Sequence, residues 1–167
     1  MNITWESGVR SVERLEALKD SGLADLGRED DFDRLIELAI EVTGAPRGCI
    51  TFVNAERTTA FSAFGFPEGL DLAAPIEQSF CRFVVGTGQP FIVEDANDDP
   101  RTIGDPAIAA FGATAWIGYP IEDADGIVLG TFCLMDAEPR EWNRTDIMAV
   151  ATLARAVSTA IALRRVS

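Results

Sequence analysis

The chain has 167 residues, 47% of them apolar, and a formal net charge of −13. That length suits one domain, which buries roughly two-thirds of its unfolded surface and can build a core without disulfides or metal. The acidic balance argues against nucleic acid, because phosphate binding needs a surplus of Lys and Arg, and against anionic membrane surfaces; a solvated acidic surface accounts for the charge itself.

Two further counts narrow the chemistry. The cysteines are three, Cys49, Cys81 and Cys133, far apart and flanked by apolar residues. This is not a disulfide framework, and it suits a reducing, cytoplasmic setting. There is no histidine. Its absence excludes His-based catalytic triads, His–carboxylate metal sites and histidine-ligated haem. No apolar run approaches the ~18 residues of a membrane span, and the N-terminal MNITWESGVRSVE lacks the basic flank and apolar stretch of a secretory signal.

Residues 1–10 are expected to be loose, though VRSVERLEALK already carries Val12, Leu15 and Leu18 at helical spacing to about Lys19. A second helix is expected from Asp30 to Thr43, with Asp30 or Asp31 as cap and Gly44 as stop. Phe32, Leu35, Ile36, Ala39, Ile40 and Val42 give it a broad apolar face. RGCITFVN (47–54) and RTTAFSAFG (57–65) then read as a β-hairpin, followed by a loop from Phe66 to Ile76. Ser79 can cap a two-turn helix ending near Gly86, and Pro90–Glu94 is a strand.

Asp105-Pro106 starts a short helix in the loop that follows. TAWIGYPIED (114–123) and GIVLGTFCLMD (126–136) form a second hairpin through an Asp-Gly turn. Asn143, with Asp146 reinforcing it, caps a long helix to about Arg165. Its apolar residues cover more than one face, which calls for a partner helix within the chain or from a second subunit. No linker divides the chain. Helices bracketing hairpin-connected strands give an α+β domain with an antiparallel sheet.

Taken together, the order of these segments resembles a GAF domain over roughly residues 11 to 164. The most specific parts are Ser79-Phe80-Cys81, Val93-Glu94-Asp95 with Asp99-Pro100-Arg101, and Gly118–Ile121 followed by Gly130–Asp136. It is similar to a subgroup with a Ser-Phe-Cys motif found alone or beside histidine kinases, nucleotide cyclases and phosphatases of bacterial signalling. The resemblance implies an antiparallel sheet of five to six strands with terminal helices on one face. On the other face a crossover segment encloses a small-molecule pocket. It further implies a homodimer built on the terminal helices, with a signalling output domain as partner.

Related sequences often place a histidine soon after the motif cysteine, whereas Arg82-Phe83 stands here; that disfavours bilin attachment at Cys81. The resemblance leaves the ligand unknown, because a shared scaffold does not fix what is bound.

The candidate ligand-binding residues are Phe80, Cys81, Asp95, Phe111, Trp116 and Tyr119. Trp116 and Tyr119 have an odd separation and so point to opposite faces of one strand, with Trp116 favoured for the pocket. Cys81, in a helix first turn beside Arg82, is a redox candidate, against the plainer reading of a small buried apolar residue. Asp95, Asp98 and Asp99 could bind a cation or pair with Arg101; the loop role is favoured. The leading expectation is a non-catalytic sensory or regulatory module. The alternatives are a cysteine-dependent free methionine sulfoxide reductase, disfavoured by cysteines 32 and 52 residues apart, and a degenerate domain that only dimerises.

Overall fold

The computed structural model describes residues 3–26 and 29–166. Six strands form one antiparallel sheet: β1 (Arg47–Val53), β2 (Arg57–Phe64), β3 (Ala73–Pro75), β4 (Phe91–Val93), β5 (Ala115–Glu122) and β6 (Val128–Asp136). Their order is β3-β2-β1-β6-β5-β4. The two hairpins are as expected from their turn residues, and they meet at the central β1–β6 pair. The short β3 lies in the segment expected to be a loop, where three residues pair with the edge of β2.

Helices cover both faces. On one side lie α2 (Val12–Ser21), α3 (Asp30–Thr43) and α6 (Arg144–Val166); on the other lie α1 (Glu6–Val9), α4 (Cys81–Thr87) and α5 (Pro106–Phe111). Strand alternation sorts the core into two halves. Ile50, Ile117, Phe132 and Leu134 face α3 and α6, whereas Cys49, Val53, Trp116 and Cys133 face α4.

The end signals act mostly as their chemistry dictates. Asn143 and Asp146 form a reciprocal cap on α6: each side chain accepts the other's backbone N–H, at 2.9 and 3.1 Å. Asp105 caps α5 by accepting the Ala107 N–H at 2.9 Å, with Pro106 in the first turn. Asp30 and Asp31 instead lie within the first turn of α3, where their charge complements the positive dipole end; Glu29 occupies the cap position without a side-chain capping bond, its carboxylate pairing with Arg164 instead.

α6 packs on β5 and along α3, so the partner helix that its wide apolar surface demands is supplied within the chain. By length and composition alone α6 could cross a membrane over Arg144–Arg164. Val42, assigned from its spacing to the sheet-facing side of α3, points outward with Leu38.

Of the residue 1–10 stretch expected to be loose, residues 3–10 are placed on the domain, and Met1 and Asn2 lie outside the described residues. Trp5 and Val9 are buried, and α1 sits on α4 through two glycines. A Cβ on Gly8 would come within 2.0 Å of the Gly86 carbonyl oxygen, and one on Gly86 within 2.4 Å of the Trp5 carbonyl oxygen. Such an approach requires residues without side chains at both positions.

Candidate functional site

A pocket lies between the sheet and the segments crossing over it. Its floor is built by period-two alternation: Cys49 and Thr51 on β1, Thr58 and Ala60 on β2, Trp116 on β5, Cys133 and Met135 on β6. Phe80 and Cys81 cover it from the start of α4, and Phe111 closes it from the end of α5. Phe66 and Leu72, from the segment joining β2 to β3, form the rest of the rim. The space open to the centre of a water molecule is about 30 Å³. That holds a few waters or one very small molecule. Much of the volume is taken by aromatic rings, with Phe80 edge-on to Trp116 at 5.9 Å and Phe91 behind both.

The three cysteines converge here. Cys49 and Cys133 are directly opposed on β1 and β6, with sulfurs 3.3 Å apart. The Cys81 sulfur lies 3.1 Å from the Thr131 hydroxyl and 3.7 Å from that of Thr51, and those two hydroxyls are 2.8 Å apart. Sequence spacing alone leaves open whether Cys49 and Cys133 are neighbours; pairing of β1 with β6 brings these residues, 84 positions apart, together. Two of the three do lie in strands, as expected.

Cys81 and Cys133 have the chemistry of buried neutral thiols. Contact with the Cys133 sulfur, followed by burial, pushes the Cys81 thiol well above its ordinary range. Contact with Cys49 does the same to Cys133, with burial adding to it. The cap position of α4 falls to Phe80 rather than to Ser79, and Ser79, one residue earlier, accepts the Cys81 N–H at 3.1 Å. Arg82 gives Cys81 no help. It forms a buried ion pair with Asp105 at 2.5 Å, donates to the Ser79 carbonyl at 2.9 Å, and lies between the rings of Trp5 and Phe83. Asp105 thereby joins α4 to α5 while also capping α5.

Of the residues singled out in the sequence, Phe80, Cys81, Phe111 and Trp116 come together at the pocket. Tyr119 does not, lying on the opposite face with the α6 core, as its odd offset from Trp116 requires. Asp95 is also remote: its carboxylate accepts the Asn97 N–H in a surface turn beyond β4. Asp99 pairs with Arg101 through both carboxylate oxygens, at 3.0 and 2.7 Å, which holds its carboxyl below the usual range. Arg101 in turn donates to the Ile92 carbonyl and covers the ring of Phe91. The acidic loop thus fastens the edge of the sheet.

Sequence reasoning missed Thr51, Thr58 and Thr131, although two of these share a strand and a face with a cysteine. It also missed Arg47, which lies over the Phe66 ring at 5.6 Å and donates to the carbonyls of Phe111 and Gly112. Arg47 therefore joins both sides of the pocket mouth.

Gly118 explains the pose of Trp116. A Cβ there would come within 2.2 Å of the indole ring, so the ring lies along its own strand only because residue 118 has no side chain.

Comparison with known proteins agrees with this architecture. A 121-residue stretch, 71% of the chain, is 29% identical to a cyclic di-GMP phosphodiesterase of Pseudomonas aeruginosa, of which it spans only 20%. The GAF domain of an Acinetobacter phosphoenolpyruvate-protein phosphotransferase superposes with a TM-score of 0.67 at 13% identity, covering 93% of this chain and 94% of that one. The free methionine-R-sulfoxide reductase of Neisseria meningitidis superposes at 0.62 with 14% identity, covering 90% of each. The GAF domain family model matches residues 27–161. With that match over most of its length, and with the fold to go with it, the chain belongs to the GAF domain family.

Proposed function

We propose that this protein is a non-catalytic sensory or regulatory module that binds a small molecule at the pocket beneath α4 and passes the change to its helices. The observation that carries this reading is the shared sheet. On β5 and β6, Trp116 and Cys133 face the pocket, while their immediate neighbours Ile117 and Phe132 face the helical layer. Close packing transmits a displacement of one face to the other. A second route runs along the chain, since α1 rests on α4 and leads directly into α2 on the opposite face.

The output in this reading passes to a signalling enzyme, attached or separate, of the kinase, phosphatase or cyclic-nucleotide class. The likeness to one fifth of a cyclic di-GMP phosphodiesterase supports such a setting. Two copies pair through the helical layer, where Leu38 and Val42 lie one turn apart on α3 with their side chains exposed. The test is native mass spectrometry of protein taken from its own host. A dimer carrying a bound small molecule is expected. A dimer with no bound mass would leave only a scaffold.

A reductase reading draws on one observation, the convergence of three thiols. In it, Cys81 would take the sulfoxide oxygen to become a sulfenic acid. Condensation with the Cys133 thiol would then release water and leave a disulfide. Both thiols are held in the protonated, poorly nucleophilic form, which weighs against it. With a dithiol reductant added to regenerate the two thiols, turnover of free methionine sulfoxide that is lost in Cys81→Ser would establish the enzyme.

A further inference from the structure

We infer that the pocket takes an uncharged, largely apolar small molecule with a single hydrogen-bonding group, and that this group pairs with the hydroxyl of Thr58. The inference rests on the pocket being the ligand site. Among the described residues that line it, none carries a charge. Charged groups that adjoin the lining are engaged elsewhere: Arg82 with Asp105, Arg47 with the carbonyls at the rim, and Arg57 with the Ala73 carbonyl. A nucleotide, an amino acid or a carboxylate would leave its solvation and meet no opposite charge, which burial strongly disfavours.

Within this apolar lining one polar atom stands out. Thr58 is 4% exposed, and its hydroxyl oxygen has no hydrogen-bond partner among the described residues. The other hydroxyls are satisfied: Thr51 and Thr131 bond each other, and Ser79 accepts from Cys81. A buried hydroxyl without a partner is uncommon in a folded protein and calls for one. Thiols are weak donors and acceptors, so they add shape and apolar surface rather than polar recognition. The half-buried rings of Phe66 and Phe111 form the rim, and a molecule larger than the closed space requires them to turn outward.

The experiment compares benzene and phenol, which share a ring and differ by one hydroxyl, with cyclic GMP and methionine sulfoxide as charged probes. Binding is read from the amide NMR signals of Thr58, Cys81 and Trp116 on titration. Benzene and phenol are expected to shift these signals saturably, and the charged probes are not. Thr58→Val is expected to weaken phenol about fivefold without changing benzene, whereas Thr58→Ser retains phenol. Thr58→Ala removes the same hydroxyl and serves if the valine variant folds poorly. Saturable binding of a charged probe at these residues overturns the ligand class and leaves the pocket reading standing. Phenol binding equally well without the hydroxyl overturns the role of Thr58. Failure of all four probes overturns both this inference and the pocket on which it rests.

Discussion

Cys49 and Cys133 stand opposite each other across the central strand pair, sulfurs 3.3 Å apart, and Cys81 reaches the same spot from α4. Proximity alone would make this a reactive centre. Protonation decides otherwise, because the thiolate is the nucleophile and both Cys81 and Cys133 are shifted against it.

Alkylation of the native protein at pH 8 is therefore expected to be at least about tenfold slower than in urea. Stability should show the same shift. A thiol whose folded pKa is raised contributes fully below the ordinary thiol value of about 8.5. Above that pH the unfolded chain loses its proton first, and the contribution is lost as the pH climbs towards the folded pKa. Each such thiol adds a slope of up to about 1.4 kcal/mol per pH unit. Urea midpoints measured from pH 7 to 10 should fall above about 8.5, less steeply in Cys81→Ser; a flat profile would contradict the assignment.

The buried pair Arg82–Asp105 offers a separate test. Both side chains are 8% exposed, and Asp105 also caps α5. Removing one partner leaves a buried charge uncompensated, so Asp105→Ala is expected to cost about 3–5 kcal/mol in urea unfolding. Adding Arg82→Met should recover part of that loss, since the stranded charge goes with it. Two independent, additive penalties would mean that the ion pair does not couple these residues.

Local signals carried much of this fold. The bounds of α3, the two hairpins and the Asn143–Asp146 cap follow from spacing, turn residues and capping chemistry within a few positions of each other. The features that were not legible depend on distant pairings. The cysteine cluster exists because β1 lies beside β6, a register that sequence separation does not reveal. Docking of the N-terminal segment depends on Gly8 meeting Gly86 across the chain. β3 is three residues, two of them alanine and one proline, with no strand propensity of their own. Tyr119 was legible in part: its odd offset from Trp116 places it across the sheet, and only one of the two could line the pocket.

Gly118 holds a space for the Trp116 indole, which is packed against Phe80 and Phe91 and has little room to withdraw. Gly118→Ala is expected to cost about 1–3 kcal/mol by overpacking. It should also shift the fluorescence of the folded protein, because the ring must leave its place in the wall. Unchanged emission and stability would show that the indole relaxes freely.

Arg47 controls the mouth of the same pocket from outside, touching the Phe66 ring and bonding the Phe111 and Gly112 carbonyls. These contacts join the β2–β3 connection to the end of α5, so their loss should loosen the rim more than the core. Arg47→Met keeps most of the aliphatic stem and removes the guanidinium. The global cost is expected to be about 1–2 kcal/mol, in line with the loss of charge-assisted hydrogen bonds that are partly exposed. Hydrogen exchange should accelerate at the amides of residues 108–113 by more than the global loss explains, while those of Ile50 and Phe132 follow the global change alone. A uniform acceleration would mean that Arg47 stabilises the domain as a whole. A local one makes it the clasp that governs access to the pocket.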